Sequence, residues 1–223
     1  MPSMCPAMRT VPDLAAERAL WGQGTAFVAG IDEVGRGPLA GPVAAGAVVL
    51  PSISRISGRF RWLRAVRDSK QLTAGAREEL SGYIWQYSIS AGVGFVSVDV
   101  IDRIGIAEAS RQAMLGAIAE LVTKPTHLLI DAFRLPACRL PQTPIIDGDE
   151  KVMSIACASI IAKVARDRMM REEHGSYPGY GFVTNKGYAT REHFAALDRL
   201  GPCLLHRRSF SPVREMVALR LPL

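Results

Sequence analysis

The sequence predicts an α/β fold: one mixed β-sheet with helices on both faces, followed by a small C-terminal helical segment. Three observations carry this expectation. Short apolar and β-branched runs alternate with longer stretches of helical spacing. The first two runs, over residues 27–31 and 43–50, lie close enough to form a hairpin. Three runs also end in carboxylates, at Asp32-Glu33, Asp131 and Asp149, although a core strand gains nothing from unpaired charge.

Residues 1–11 mix Met, Pro and Ser without periodicity and read as a loose tail. Residues 12–21 read as a short helix, with Ala16, Ala19 and Leu20 on one face and Gly22 and Gly24 as its stop. The first strand passes through Phe27, Val28 and Ile31 into Asp32-Glu33 and a Gly-Arg-Gly turn, and residues 43–50 return as the second. Residues 51–67 are irregular and basic. Thr73 opens a helix that ends near Tyr87. Residues 88–98 alternate as a third strand, with Ile89, Ala91, Val93 and Phe95 on one face.

Residues 100–122 have the spacing of one helix, through Ile101, Ile104, Ala107, Met114, Leu115, Ile118 and Leu121. Residues 127–131 form a short buried strand, and residues 145–149 repeat the pattern of an apolar run ending in Asp. Residues 154–174 read as a helix, apolar through Ile155, Ala158, Ile161, Ala162 and Ala165. The remainder combines Gly-Tyr turns, a short helix over 190–200 and a basic tail. Ligands of such sheets gather beyond the strand ends, so Asp32-Glu33, Asp131 and Asp149 are expected at a common mouth.

Composition narrows the function classes. A chain of 223 residues with 48% hydrophobic and 22% charged residues builds a globular core and excludes wholesale disorder. A net charge of +6 favours a polyanionic partner. Cys5, Cys138, Cys157 and Cys203 form no C-x-x-C pair and read as reduced, structural thiols of a cytoplasmic protein. His127, His174, His193 and His206 lack zinc-site spacing. The longest apolar stretch, residues 43–50, is too short to span a membrane, and the N-terminus lacks the order of a signal peptide. A soluble monomer is expected.

A cluster of three or four carboxylates does not suit Ser/His/Asp or Cys/His chemistry, and no G-x-S-x-G is present. Hard oxygen ligands suit Mg²⁺ or Mn²⁺. Two such ions about 3.5–4 Å apart can activate a water and stabilise the leaving oxygen in phosphodiester cleavage. Asp32 is placed centrally enough to bridge them. Magnesium takes part of its coordination from water and substrate phosphate, so the site is expected to assemble fully only on nucleic acid. Asp147 and Glu150 flank Asp149 as competitors, while Asp167, between Arg166 and Arg168, reads as an ordinary ion-pair partner.

The segment Gly30-Ile31-Asp32-Glu33-Val34-Gly35-Arg36-Gly37-Pro38-Leu39-Ala40-Gly41-Pro42-Val43 resembles the opening signature of bacterial ribonuclease HII. Further blocks follow in that family's order: Asp68-Ser69-Lys70-Gln71-Leu72, Ile130-Asp131-Ala132, Gly148-Asp149, residues 158–167, Tyr180-Gly181-Phe182, Asn185-Lys186-Gly187-Tyr188 and His206-Arg207-Arg208-Ser209-Phe210. The likeness covers residues 26–214 as a catalytic domain, leaving residues 1–25 as an extension with a short helix and 215–223 as a tail. It implies a ribonuclease-H-like fold and endonucleolytic cleavage of RNA in RNA–DNA hybrids and of single ribonucleotides in duplex DNA, with 5′-phosphate and 3′-hydroxyl ends. It also implies a four-carboxylate metal centre at Asp32, Glu33, Asp131 and Asp149, a turn at Gly35-Arg36-Gly37 that senses the ribose 2′-hydroxyl, and an aromatic, Tyr188, that stacks on the following sugar.

Lys70 resembles the lysine of the family's Asp-Ser-Lys block and could meet a phosphate. Ser159, Lys163 and Arg166 share a helical face that could meet nucleic acid, though a solvated or core-edge face is the default. His206-Arg207-Arg208 is a small basic cluster that could support phosphate binding or simply meet water. Asp147 and Cys157 depart from the family pattern. The competing readings are a junction resolvase on the same fold and a catalytically silent hybrid-binding protein.

Overall fold

In the computed structural model, residues 11–218 are described; most of the expected loose tail, residues 1–10, lies outside them. Helix α1 (Ala15–Gly22) leads into strand β1 (Val28–Val34), which pairs antiparallel with β2 (Val43–Val49) in the expected hairpin. β1 does not stop at the acids: the ladder continues through Asp32↔Gly46 and Glu33↔Ala45 to Val34. The two carboxylates are therefore fixed by strand pairing.

Residues 51–67 are more ordered than their composition suggests. A 3₁₀ helix spans Gly58–Ala65 and buries Trp62 and Leu63. Trp62 stacks on Tyr83 of helix α2 (Ala74–Tyr87), with ring centroids 6.1 Å apart. α2 begins at Thr73, whose hydroxyl accepts the Ala76 N–H at 3.2 Å.

Strand β3 (Ser90–Val96) pairs with β2, and its better-buried face is the one opposite the shared face of Ile89, Ala91, Val93 and Phe95. Ser90, Gly92, Gly94 and Val96 are buried, whereas Ile89 and Phe95 are 40% and 44% exposed. Side-chain hydrophobicity misleads here because the glycine face admits a helix backbone. A Cβ at Gly94 would stand 2.3 Å from the Ala113 carbonyl.

The expected single helix over 100–122 is two: α3 (Val98–Ile104) and α4 (Ile106–Ala119). Gly105, at φ +78°, breaks it with a backbone conformation that only glycine adopts freely. Strand β4 (His127–Asp131) runs parallel to β1, and β5 (Gln142–Ile145) runs parallel to β4. The sheet order is β3-β2-β1-β4-β5. The third acid-terminated strand does not hold as read. β5 ends at Ile145, and Asp149 sits on the short helix α5 (Gly148–Lys151).

Helix α6 (Met153–Ser176) covers one face of the sheet and α4 the other. α6 lies so close that a Cβ at Gly46 would meet the Ala158 carbonyl at 2.2 Å. Its alanine-rich first half is what permits that approach. The C-terminal part adds α7 (Phe182–Asn185), α8 (Arg191–Leu200) and α9 (Val213–Ala218). Tyr180, Phe182, Leu197 and Val213 form a separate apolar cluster with Met170 of α6 and Leu39-Ala40 of the loop after β1. No helix among the described residues is long and apolar enough to cross a membrane.

Candidate active site

Parallel pairing brings the C-terminal ends of β1, β4 and β5 to one side of the sheet. The register pairs Ile31 with Ile130, so the next residues, Asp32 and Asp131, stand side by side. Beyond β5 the chain turns at Asp147, left-handed at φ +54°, and enters α5. The Gly148 N–H donates to Asp131 Oδ1 at 2.7 Å, which ties the start of α5 to the end of β4. Asp149 follows immediately.

These acids open onto a pocket of about 270 Å³. Its walls include Asp32, Glu33, Gly35, Arg36, Gly37, Lys70, Asp131, Asp149 and Tyr188, so the four acids, the glycine-flanked turn, Lys70 and the aromatic meet there. Ser69, Ser159 and Lys163 also line the pocket. Ser159 and Lys163 belong to the helical face noted in the sequence. Ser69, inside the Asp-Ser-Lys block, was not singled out; its hydroxyl lies 3.0 Å from that of Ser159 and joins the block to α6.

The pocket is electrostatically unbalanced. Asp32 is buried, and its Oδ1 accepts the Glu33 N–H at 2.7 Å. Glu33 Oε1 pairs with Arg36 at 3.0 Å, while its Oε2 is buried without a hydrogen-bond partner. Asp149 has Lys70 at 3.4 Å, and the same ammonium lies 3.9 Å from Asp68. Burial, then repulsion from Glu33 and Asp131, holds the Asp32 carboxyl well above its ordinary range. Burial likewise raises Glu33 against the pull of Arg36, and it raises Asp131 and Asp149 with help from neighbouring acids. For Lys70, burial opposes the charge, but Asp149, Asp68 and Asp32 prevail and hold its ammonium above the usual value. With Lys163 paired to Asp167 at 2.7 Å, only Arg36 and Lys70 pair with the four crowded acids, which leaves a site that favours added positive charge.

Tyr188 is set by a chain of ring bonds that the sequence did not reveal. The Cys203 N–H donates to His206 Nδ1 at 2.9 Å, so the His206 proton lies on Nε2, 3.0 Å from His193 Nε2. His193 then donates Nδ1–H to the Tyr188 carbonyl at 2.8 Å. Both rings are neutral in this arrangement; burial, then His193, pushes His206 down to about 4.

Other expectations are corrected by burial. Arg166, read with Ser159 and Lys163 as a possible nucleic-acid face, is fully buried and donates to main-chain carbonyls. Of His206-Arg207-Arg208, His206 and Arg207 are buried, and Arg207 also binds carbonyls; neither meets water or a backbone phosphate. Asp167 is the ion-pair partner expected, though of Lys163 at 2.7 Å and Arg77 at 3.8 Å. Asp147 points outward, 3.4 Å from Lys151. Cys157 is a fully buried thiol whose pKa is raised by burial and Glu17, so it is inert packing.

The sequence also left Glu17 unnoticed. It is fully buried on α1, and its Oε1 accepts the Ser154 N–H in the first turn of α6 at 2.7 Å. A carboxylate at a helix N-terminus satisfies a donor the helix itself cannot. The β-bridge between Asp13 and Val152 secures the same junction.

Comparison with known proteins agrees with this architecture. The sequence pattern of the family described as Ribonuclease HII matches residues 29–213. A Ribonuclease HII of Bacillus anthracis is 51% identical over 201 residues, covering 90% of this chain and 75% of that protein. One from Moorella thermoacetica is 51% identical over 196 residues, covering 88% of this chain and 92% of its own. The crystal structure of ribonuclease H2 from Pyrococcus horikoshii superposes with a TM-score of 0.71 at 27% identity, over 86% of this chain and 98% of that one. The chain therefore belongs to the ribonuclease HII family and is a nuclease, a hydrolase of phosphodiesters.

Proposed function

We propose that this pocket cleaves the RNA strand of RNA–DNA hybrids, and single ribonucleotides embedded in duplex DNA, by two-metal-ion hydrolysis that leaves 5′-phosphate and 3′-hydroxyl ends. The observation that carries the reading is the meeting of Asp32, Glu33, Asp131 and Asp149 with the Gly35-Arg36-Gly37 turn and Tyr188 in one pocket. It pairs an acid cluster suited to phosphodiester hydrolysis with groups suited to a ribose.

The acids fit divalent metal. Glu33 Oε2 is buried with no partner, and all four carboxyls are raised by burial and crowding, so each is relieved by a nearby cation. Among the described residues, no three acid, imidazole or thiol side chains converge as a ready-made ion cage. Magnesium and manganese sites of this kind do not demand one, since water and substrate phosphate complete them. Asp32, Glu33, Asp131 and Asp149 would hold Mg²⁺ or Mn²⁺. When bound, the ions acidify a water and neutralise charge on the phosphate and the departing 3′ oxygen.

The remaining groups position the substrate. Lys70, exposed at its tip and held cationic by Asp149, is placed to meet a phosphate oxygen. The Gly35-Arg36-Gly37 backbone offers the 2′-hydroxyl main-chain N–H donors without intervening side chains at the glycines, its Gly35 and Arg36 carbonyls being bound to Arg207. Tyr188, 39% exposed, presents a ring to a sugar. The substrates are RNA–DNA hybrid and ribonucleotide-containing duplex; the protein acts as a cytoplasmic monomer. Residues 26–214 constitute the catalytic domain, with 1–25 and 215–223 as its extensions.

The direct test is cleavage of a DNA duplex with one embedded ribonucleotide, with Mg²⁺, with Mn²⁺ and with EDTA, for wild type and Asp131→Asn. Metal-dependent incision beside the ribonucleotide is expected, lost in Asp131→Asn while folding and hybrid binding persist. An Asp131→Asn protein that turns over like wild type defeats the four-carboxylate reading. Cutting of a four-way DNA junction in preference to the ribonucleotide duplex would favour a resolvase.

A further inference from the structure

Behind the pocket lie two fully buried arginines whose hydrogen bonds all go to main-chain carbonyls. Arg166, on α6, donates to Pro42 O at 2.9 Å, Lys186 O at 3.0 Å and Ala40 O at 3.0 Å. Arg207 donates to Gly41 O at 3.0 Å, Arg36 O at 2.8 Å and Gly35 O at 2.6 Å. Burial lowers both guanidinium pKa values, that of Arg207 to about 9. Charges kept inside a protein against that pressure need strong, oriented acceptors, and a rigid guanidinium fork imposes geometry on whatever it binds.

What it binds here is the recognition apparatus. Peptide planarity sets each N–H opposite the carbonyl of the same unit. Drawing the Gly35 and Arg36 carbonyls inward onto Arg207 therefore turns the Arg36 and Gly37 N–H groups outward. Gly35, at φ +91°, lies flat on Arg166: a Cβ there would sit 2.2 Å from Arg166 Nε. On its other side Arg166 touches the loop that carries Tyr188. It binds the Lys186 carbonyl, and its Cζ lies 5.7 Å from the centre of the Tyr188 ring. Leu39 N–H donates to Gly187 O at 2.9 Å and closes the two loops on each other.

We propose that Arg166, supported by Arg207, is a positioning residue that locks the Gly35-Arg36-Gly37 turn and Tyr188 into one rigid reading head, so that detection of the 2′-hydroxyl and stacking on the next sugar succeed or fail together. The inference rests on the reading of that turn and of Tyr188 as ribose contacts. It assigns to two buried cations a role in specificity rather than in phosphate binding.

A double-mutant cycle of Arg166→Lys and Tyr188→Ala tests it, with kcat and KM measured on a duplex with one ribonucleotide and on a long RNA–DNA hybrid. Lysine keeps the charge, but its single nitrogen cannot span the three carbonyls that Arg166 holds separately from Nε, Nη1 and Nη2. Arg166→Lys is expected to lower kcat on the single-ribonucleotide duplex by roughly 10-fold or more, with KM little changed and a smaller loss on the long hybrid. Adding Tyr188→Ala should then cost no more than about 2-fold further. Losses that multiply, or equal losses on both substrates, overturn the coupling. Arg207→Lys in the same cycle serves if Arg166→Lys does not fold; failure of both to fold makes the arginines structural struts and also overturns it. A wild-type protein that cuts an all-DNA duplex as readily refutes the underlying reading and the coupling with it. Discrimination by wild type combined with multiplying losses refutes the coupling alone.

Discussion

Replacing Asp32 with asparagine should abolish activity and, without divalent metal, make the protein more stable. Asp32 is buried and faces Glu33 and Asp131 with no cation of its own, so the folded state holds its carboxyl well above the ordinary range. A group of this kind contributes stability below its unfolded value of 3.8 and loses it as the pH rises through the folded value. Asparagine removes that cost. Its Oδ1 can still accept the Glu33 N–H that Asp32 accepts at 2.7 Å, and its amide can donate to the neighbouring carboxylates. The expected gain near pH 8 in EDTA is about 1–3 kcal/mol, a rise in Tm of roughly 2–10 °C for a domain of this size. Thermal unfolding of wild type and Asp32→Asn, followed from pH 4 to 8 in EDTA, reads this directly. The two curves should meet near pH 4 and separate as the pH rises, and added Mn²⁺ or Mg²⁺ should stabilise wild type more than the variant. An Asp32→Asn protein less stable than wild type at pH 8, or a gap independent of pH, refutes the reasoning.

Tyr188→Ala is expected to reduce cleavage at a single embedded ribonucleotide by at least about 10-fold while sparing a long hybrid; equal losses would count against a junction contact. Glu17→Ala, which strips the Ser154 N–H of its partner, should cost roughly 1–3 kcal/mol in urea unfolding. Glu17→Gln should cost less than about 1 kcal/mol, because burial already raises the Glu17 pKa and favours its neutral form. Gly46→Val should lower the free energy of unfolding in urea by roughly 1–3 kcal/mol, since its Cβ would meet the Ala158 backbone and push α6 from the sheet.

Much of the sheet was legible because strands advertise themselves locally. Residues 43–50 and 127–131 are short, apolar and bounded by turn residues, and both became strands. The break at Gly105 was not legible, because the apolar spacing on either side of it is continuous. The better-buried face of β3 was not legible for a related reason: periodicity records side-chain hydrophobicity, and a glycine face is buried by what approaches it. Asp149 reached the pocket as expected, but from the first turn of α5 rather than from a strand end. A one-turn helix beginning at the sheet's mouth delivers its side chain to the same place as a strand end would.

The sequence by itself determined the chemistry available: four acids in a fixed order, a glycine-flanked arginine turn and an aromatic near the C-terminal end. Their proximity depended on parallel pairing of β1 with β4, which no local pattern records. Tertiary structure alone decided the fate of the cations. Arg166 and Lys163 are one helical turn apart, yet Lys163 lines the pocket while Arg166 is sealed beneath it. Arg207 binds the Gly35 carbonyl across 172 residues of chain. Whether a charged side chain meets solvent or the interior depends on acceptors brought to it from elsewhere in the fold, because burial is tolerable only where those partners already stand.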